Sequence, residues 1–216
     1  MRKIFWLNIG SLVFYCLIMS FAAQASGLQL KSQVGVNEGR LGEGRFNKYN
    51  SKEIRLSAHQ RISTYPFSFG LSIGREMIHT SSLAFNRSIT EDGQILRQIP
   101  NYVHNDELDV EFQAWMPDSM TGGRVRPFIK FGHTVWSNYK LKAKLLRGGN
   151  KEPYSEIGQE QGSNLALGSQ IKLNREFSAV FEFKIESKSL LLEDSSFLSK
   201  KQIKSGGALF GFTRLI

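Results

Sequence analysis

The 216-residue chain is 41% hydrophobic and 22% charged, the balance of one folded domain, with a formal net charge of +9. One cysteine and four scattered histidines, at 59, 79, 104 and 133, exclude a disulfide scaffold and a zinc cluster, and no cofactor is expected. The basic balance suits anionic lipid head groups or sugars, whereas no aromatic-plus-basic stripe marks nucleic acid as a partner.

The first 25 residues form a unit of their own. Arg2 and Lys3 precede an uncharged apolar run, and Ala23-Gln24-Ala25 supplies small residues before a cut after Ala25. This is the layout of a bacterial-type secretory signal peptide, residues 1–25, leaving a mature domain of residues 26–216. An uncleaved anchor is the competing assignment, and Asn8, Gly10 and Ser11 weaken it. Removal leaves a charge of +7 and discards Cys16, so the exported domain is held by hydrogen bonds and packing alone.

Apolar residues then recur at every second position. Leu28, Leu30, Val34 and Val36 mark a first strand (27–36), and Ile54, Leu56, Ala58 and Ile62 a second (51–62). Phe67, Phe69, Leu71 and Ile73 mark a third (66–75), and Leu108, Val110, Phe112, Ala114 and Met116 a fourth (107–116). Val125, Ile129, Phe131 and Val135 mark a fifth (124–136). The run 165–185 carries Leu165, Leu167, Ile171 and Leu173, a polar break, then Phe177, Ala179, Phe181, Phe183 and Ile185, which is a hairpin of the sixth and seventh. Ala208, Phe210, Phe212 and Ile216 give the eighth, and no amphipathic helix intervenes.

The connections alternate in length. Those after the second, fourth and sixth strands are short (63–65, 117–123, 174–176), and those after the other strands are long and polar (37–50, 76–106, 137–162, 187–205). Tight turns on one rim and loops on the other are the signature of an up-and-down outer-membrane barrel, and an even strand number returns both ends to the short-turn rim. The non-oily face mixes Gly, Ala and Ser with isolated charges, suited to a narrow lumen, and a tilted strand needs ~9–11 residues to cross hydrocarbon. The fold class expected is therefore all-β: a closed eight-stranded antiparallel up-and-down transmembrane β-barrel whose oily face meets lipid.

The stretches "RVRPFIKFGHTVW", the opening hairpin and "GALFGFTRLI" resemble the eight-stranded outer-membrane barrel domain of the OmpA/OmpX-like family. The resemblance implies residence in the outer membrane of a Gram-negative-type bacterium with periplasmic termini. It also implies recognition of the C-terminal strand by the barrel-insertion machinery, contact with lipopolysaccharide, and a monomer. Family members end on an aromatic residue, where this chain has Ile216, and Arg214 falls on the lipid-facing register.

On this register Lys31, Arg55, Arg61, Arg126, Lys130, Lys172 and Lys184 face inward with Asp109, Glu111 and Glu182. Because an unpaired enclosed ion costs several kcal/mol, these residues are expected to form an ion-pair network that fills the barrel. With seven bases to three acids, the alternative is a narrow anion-leaning pore for small ions or solutes. Tyr65, Phe67, Trp136 and Tyr139 are placed to anchor the two membrane interfaces, and Trp115 to plug the lumen. The basic segments 137–151 and 199–204 are placed to meet lipopolysaccharide phosphates.

A lipid A-modifying barrel enzyme is the remaining alternative, with His133, Ser137 and a glutamate such as Glu156 as candidates. His133 and Ser137 lie four residues apart on one strand, about 13 Å at ~3.3 Å per residue, too far for a base and its nucleophile. No catalytic residue is assigned, and the function expected is that of a non-enzymatic envelope protein of structural or surface-display type.

Overall fold

The computed structural model describes residues 27–41, 48–62, 65–79, 88–91, 94–121, 123–147, 150–192 and 200–216; the expected signal segment lies outside them. The strands are β1 (Leu28–Leu41), β2 (Lys48–Arg61), β3 (Phe67–Ile78), β4 (Ser88–Glu91) and β5 (Gln94–Trp115), followed by one helical turn, α1 (Asp118–Thr121). They continue as β6 (Val125–Arg147), β7 (Asn150–Lys172), β8 (Phe177–Leu192) and β9 (Lys200–Leu215).

Eight of these strands form a closed antiparallel barrel. The sheet runs β3-β2-β1-β9-β8-β7-β6-β5, and β3 pairs with β5 to complete the ring, while β4 lies against the outer part of β5. Closure gives every barrel strand two hydrogen-bonded neighbours, so no sheet edge meets lipid. The start of β1 and the end of β9 reach the rim that carries the β2–β3, β5–β6 and β7–β8 turns, where the Ile216 amide donates to the Leu28 carbonyl at 2.8 Å.

Local chemistry sets those turns. In the β7–β8 turn the Asn174 side-chain oxygen accepts from the amides of Glu176 (2.9 Å) and Phe177 (2.8 Å), a turn built by one residue. The longer β5–β6 connection turns back at Gly123, whose φ of 74° disfavours a side chain.

The apolar positions form an outward belt. Val36, Leu56, Ile73, Phe131, Leu167, Phe183 and Phe212 are all exposed. Register pairs Ile129 with Leu167, Leu167 with Phe183, Phe183 with Ala208 and Ala208 with Val36, so the belt is continuous from strand to strand. Inward positions are polar and buried, as the strict alternation of β2 from Lys48 to Ser57 illustrates. In water this arrangement would be inside out, because so large an exposed apolar surface needs an apolar solvent. The belt is the lipid-facing surface.

One expectation is corrected. The segments 137–162, 76–106, 187–205 and 37–50 are not simply long loops: β6 and β7 run 23 residues each, and β1, β2, β5, β8 and β9 also extend past the belt. At ~3.3 Å per residue a 23-residue strand spans about 75 Å along its path, far more than a bilayer core needs. Beyond the belt the alternation persists with its polarity inverted. Lys142 and Lys144 point outward there, while Tyr139, Leu141 and Ala143 are buried inside. Polar residues on the outward face make such a stretch look like a loop.

Candidate functional site: the lumen and its mouth

Inward side chains fill the barrel in layers. Nearest the short-turn rim an open basin is lined by Arg61, Arg126, Lys172 and Arg175 among others. Next comes an aromatic plug in which Trp115, Phe128 and Val180 pack together. Gly168 makes the plug possible, since a Cβ there would overlap the Phe128 ring. The Lys31 ammonium lies 5.2 Å from the centroid of Phe128, and the Arg61 guanidinium 5.7 Å from that of Trp115.

Beyond the plug lies the ionic layer. Arg55, fully enclosed, donates through Nε to Glu53 (2.7 Å), through Nη1 to Asp109 (2.6 Å) and Glu111 (3.2 Å), and through Nη2 to Glu107. Lys130 bridges Glu111 (3.0 Å) and Glu182 (2.6 Å). His59 Nε2 sits 2.8 Å from Glu111. Several bonds cross the lumen: Lys184 on β8 to Glu53 on β2 (2.5 Å), Lys188 on β8 to Glu107 on β5, and Lys31 on β1 to Gln113 on β5 (3.0 Å). These links tie opposite walls together. Above them a second apolar core of Tyr49, Ile78, Val103, Tyr139, Leu141, Leu190 and Ile203 fills the part of the barrel beyond the belt.

The residues picked from sequence divide between two places. Arg55, Asp109, Glu111, Lys130, Glu182 and Lys184 meet in the ionic layer, and Lys31 sits at its lower edge. Arg61, Arg126 and Lys172 do not join it. They share the inward parity, but their strands have reached the rim, so they line the basin, and Lys172 is exposed. Trp115 is buried in the plug.

Sequence reasoning missed Glu53, Glu76, Glu107, Glu160, Glu186 and Lys188, all buried inside. Glu53 and Glu107 share the parity of Arg55 and Asp109 and could have been found on that basis. Glu76, Glu186 and Lys188 continue the inward parity of Gly74 and Lys184 just past the ends of the expected strands, and Glu160 lies in a segment expected as a loop. The consequence is a sign change: the described buried interior holds eight carboxylates and five Lys or Arg, so the anion-leaning lumen is corrected to an acid-rich one.

A bulge explains two further corrections. β6 carries one extra residue, Val135, between the pairs Leu108–Trp136 and Asp109–Thr134. Val135 and Trp136 therefore both face outward, and the parity of everything beyond is shifted. Tyr139 turns into the upper core and is no interface anchor, whereas Tyr65 and Trp136 are exposed and Phe67 stacks on Tyr65 at 5.2 Å. His133 and Ser137 fall on opposite faces of the sheet. Ser137 is buried and donates to the Glu160 carbonyl at 2.9 Å. His133 is exposed, with Nδ1 3.1 Å from Ser163 Oγ on β7, a partner that no linear spacing reveals. The Glu156 side chain lies outside the described residues.

Among solved structures, Neisserial surface protein A (NspA) is similar at a TM-score of 0.53 and 10% identity, over 87% of this chain and 96% of that one. Ail, the attachment invasion locus protein of Yersinia pestis, aligns at a TM-score of 0.46 and 14% identity, over 88% and 99% of the two chains. A major outer membrane protein from Thermus thermophilus aligns at 0.49 and 11%, also over 88% and 99%. No family model and no curated protein matches the chain. The likeness is one of fold, carried by the first comparison: the chain has the closed eight-stranded architecture of small outer-membrane barrels.

Proposed function

We propose that the protein is a non-enzymatic integral barrel of a Gram-negative-type outer membrane, with its termini in the periplasm, that displays stiff strand-built hairpins above the lipid. The observation that carries this reading is the filling of the lumen. A plug of Trp115, Phe128 and Val180, a cross-lumen ionic layer and an upper core of Tyr139, Leu141 and Leu190 follow one another along the axis. A hydrated ion would have to displace all three, which argues against the pore. The full-length barrel in planar lipid bilayers is expected to be electrically silent; steady unitary current steps would show instead that the interior opens.

The outer wall supports a lipopolysaccharide partner. Arg40, Lys48, Lys52, Lys142 and Lys144 are exposed just beyond the belt, where head-group phosphates would lie. Strand β9 is the segment offered to the insertion machinery, and the closed ring is complete as a monomer. The non-enzymatic reading is supported by the setting of the His133–Ser163 pair, which sits among Val110, Phe131 and Leu165, with no carboxylate among the described residues hydrogen-bonded to His133.

A further inference from the structure

The mouth of the barrel at the short-turn rim differs in sign from the interior behind it. Arg61, Arg126, Lys172 and Arg175 line a cavity of about 140 Å3 that includes one carboxylate, Glu176. That carboxylate is already engaged, at 3.7 Å, by Arg214 on the outer face. None of the eight buried carboxylates lines the cavity. Neutral side chains that can donate also line it, among them Gln170, Ser178 and Thr213. The Thr213 hydroxyl is buried and has no hydrogen-bond partner among the described residues. A buried hydroxyl facing a cationic cavity is a donor awaiting an acceptor.

We propose that this basin is a binding site for a small oxyanion of the phosphate class. Tetrahedral oxyanions take several charge-assisted donors at once, and guanidinium forks suit them geometrically. The volume is many times the ~10–15 Å3 that one water needs. Arg61 is steadied by its stack on Trp115, so one cation is held in place before the anion arrives. The inference holds whether or not the lumen conducts, because the basin lies in front of the plug.

The chemistry is shared by soluble phosphates and by the head group of an anionic lipid at the same interface. The test is calorimetric titration of inorganic phosphate into the full barrel, reconstituted in phosphatidylcholine nanodiscs. Saturable binding is expected, weakened about tenfold or more by Arg126→Gln and by Lys172→Gln, and further by added salt. Arg75→Gln, an exposed cation paired with Asp106 away from the basin, should leave it unchanged. Lys172 and Arg175 are exposed at the rim, so Lys172→Gln combined with Arg175→Gln is a pair that should spare the fold, checked by heat-modifiable gel migration. Absence of saturable binding, or equal binding by the folded basin variants, would overturn the assignment. Phosphatidylglycerol added to the nanodiscs separates the sources: competition identifies a lipid phosphate as occupant, and its absence a soluble one.

Discussion

Arg55 shows at the scale of one residue how the lumen is held. It is enclosed completely and meets Glu53, Glu107, Asp109 and Glu111, so removing it takes a buried cation from four carboxylates at once. Breaking a buried ion pair from one side costs roughly 3–5 kcal/mol, and Arg55→Met should lose at least that much in urea unfolding of the refolded barrel. A loss no larger than the ~1 kcal/mol of an exposed pair would mean that water reaches the cluster. Glu160 behaves differently. It lies in β7 beyond the belt, five residues from Leu165, and accepts from Asn105 at 2.9 Å. Burial pushes its carboxyl up to about 8, against the pull of Lys188. The folded form thus keeps a proton that the unfolded chain releases, so this stabilisation is full below 4.5 and lost as pH rises towards about 8. Glu160→Gln should flatten that part of the stability–pH curve; an unchanged slope would assign it elsewhere.

At the scale of an element, β6 decides the most. Its single extra residue, Val135, switches the strand from apolar-outward to apolar-inward as it leaves the belt. Below the bulge Ile129 and Phe131 face outward; above it Tyr139 and Leu141 face inward. Deleting Val135 should remove the bulge and restore plain alternation while every later side chain keeps its face: Thr134 inward, Trp136 outward, Tyr139 and Leu141 still in the upper core. Such a barrel is expected to keep its outer half as resistant to limited proteolysis as the parent's. If limited digestion cuts the outer half of the variant while sparing the belt, the bulge does more there than insert one extra residue.

The two-solvent character of the whole molecule explains how much could be read in advance. Strands within the belt were legible, because one face met lipid and period two was plain at Leu165, Leu167, Phe181 and Phe183. Those beyond it were not, because Lys142 and Lys144 occupy the face that the belt reserves for aliphatics. The same lysines make a whole-molecule prediction. Reversing both to Glu should weaken salt-sensitive binding to lipopolysaccharide vesicles by about thirtyfold or more, at ~1 kcal/mol per basic residue near an anionic surface. Unaltered binding would remove the outer wall as the contact.

What the amino-acid order determined by itself was the all-β barrel, its eight lipid-facing ribbons, the short-turn rim and the inward parity of Arg55, Asp109, Glu111, Lys130, Glu182 and Lys184. These follow from local alternation, which needs no knowledge of neighbouring strands. Only the tertiary structure decided which charges meet across the lumen, that the interior is acid-rich, that Arg61, Arg126 and Lys172 gather at the mouth, and that His133 faces Ser163. Ring closure, strand length and one bulge fix those contacts, and each depends on residues far apart in the chain.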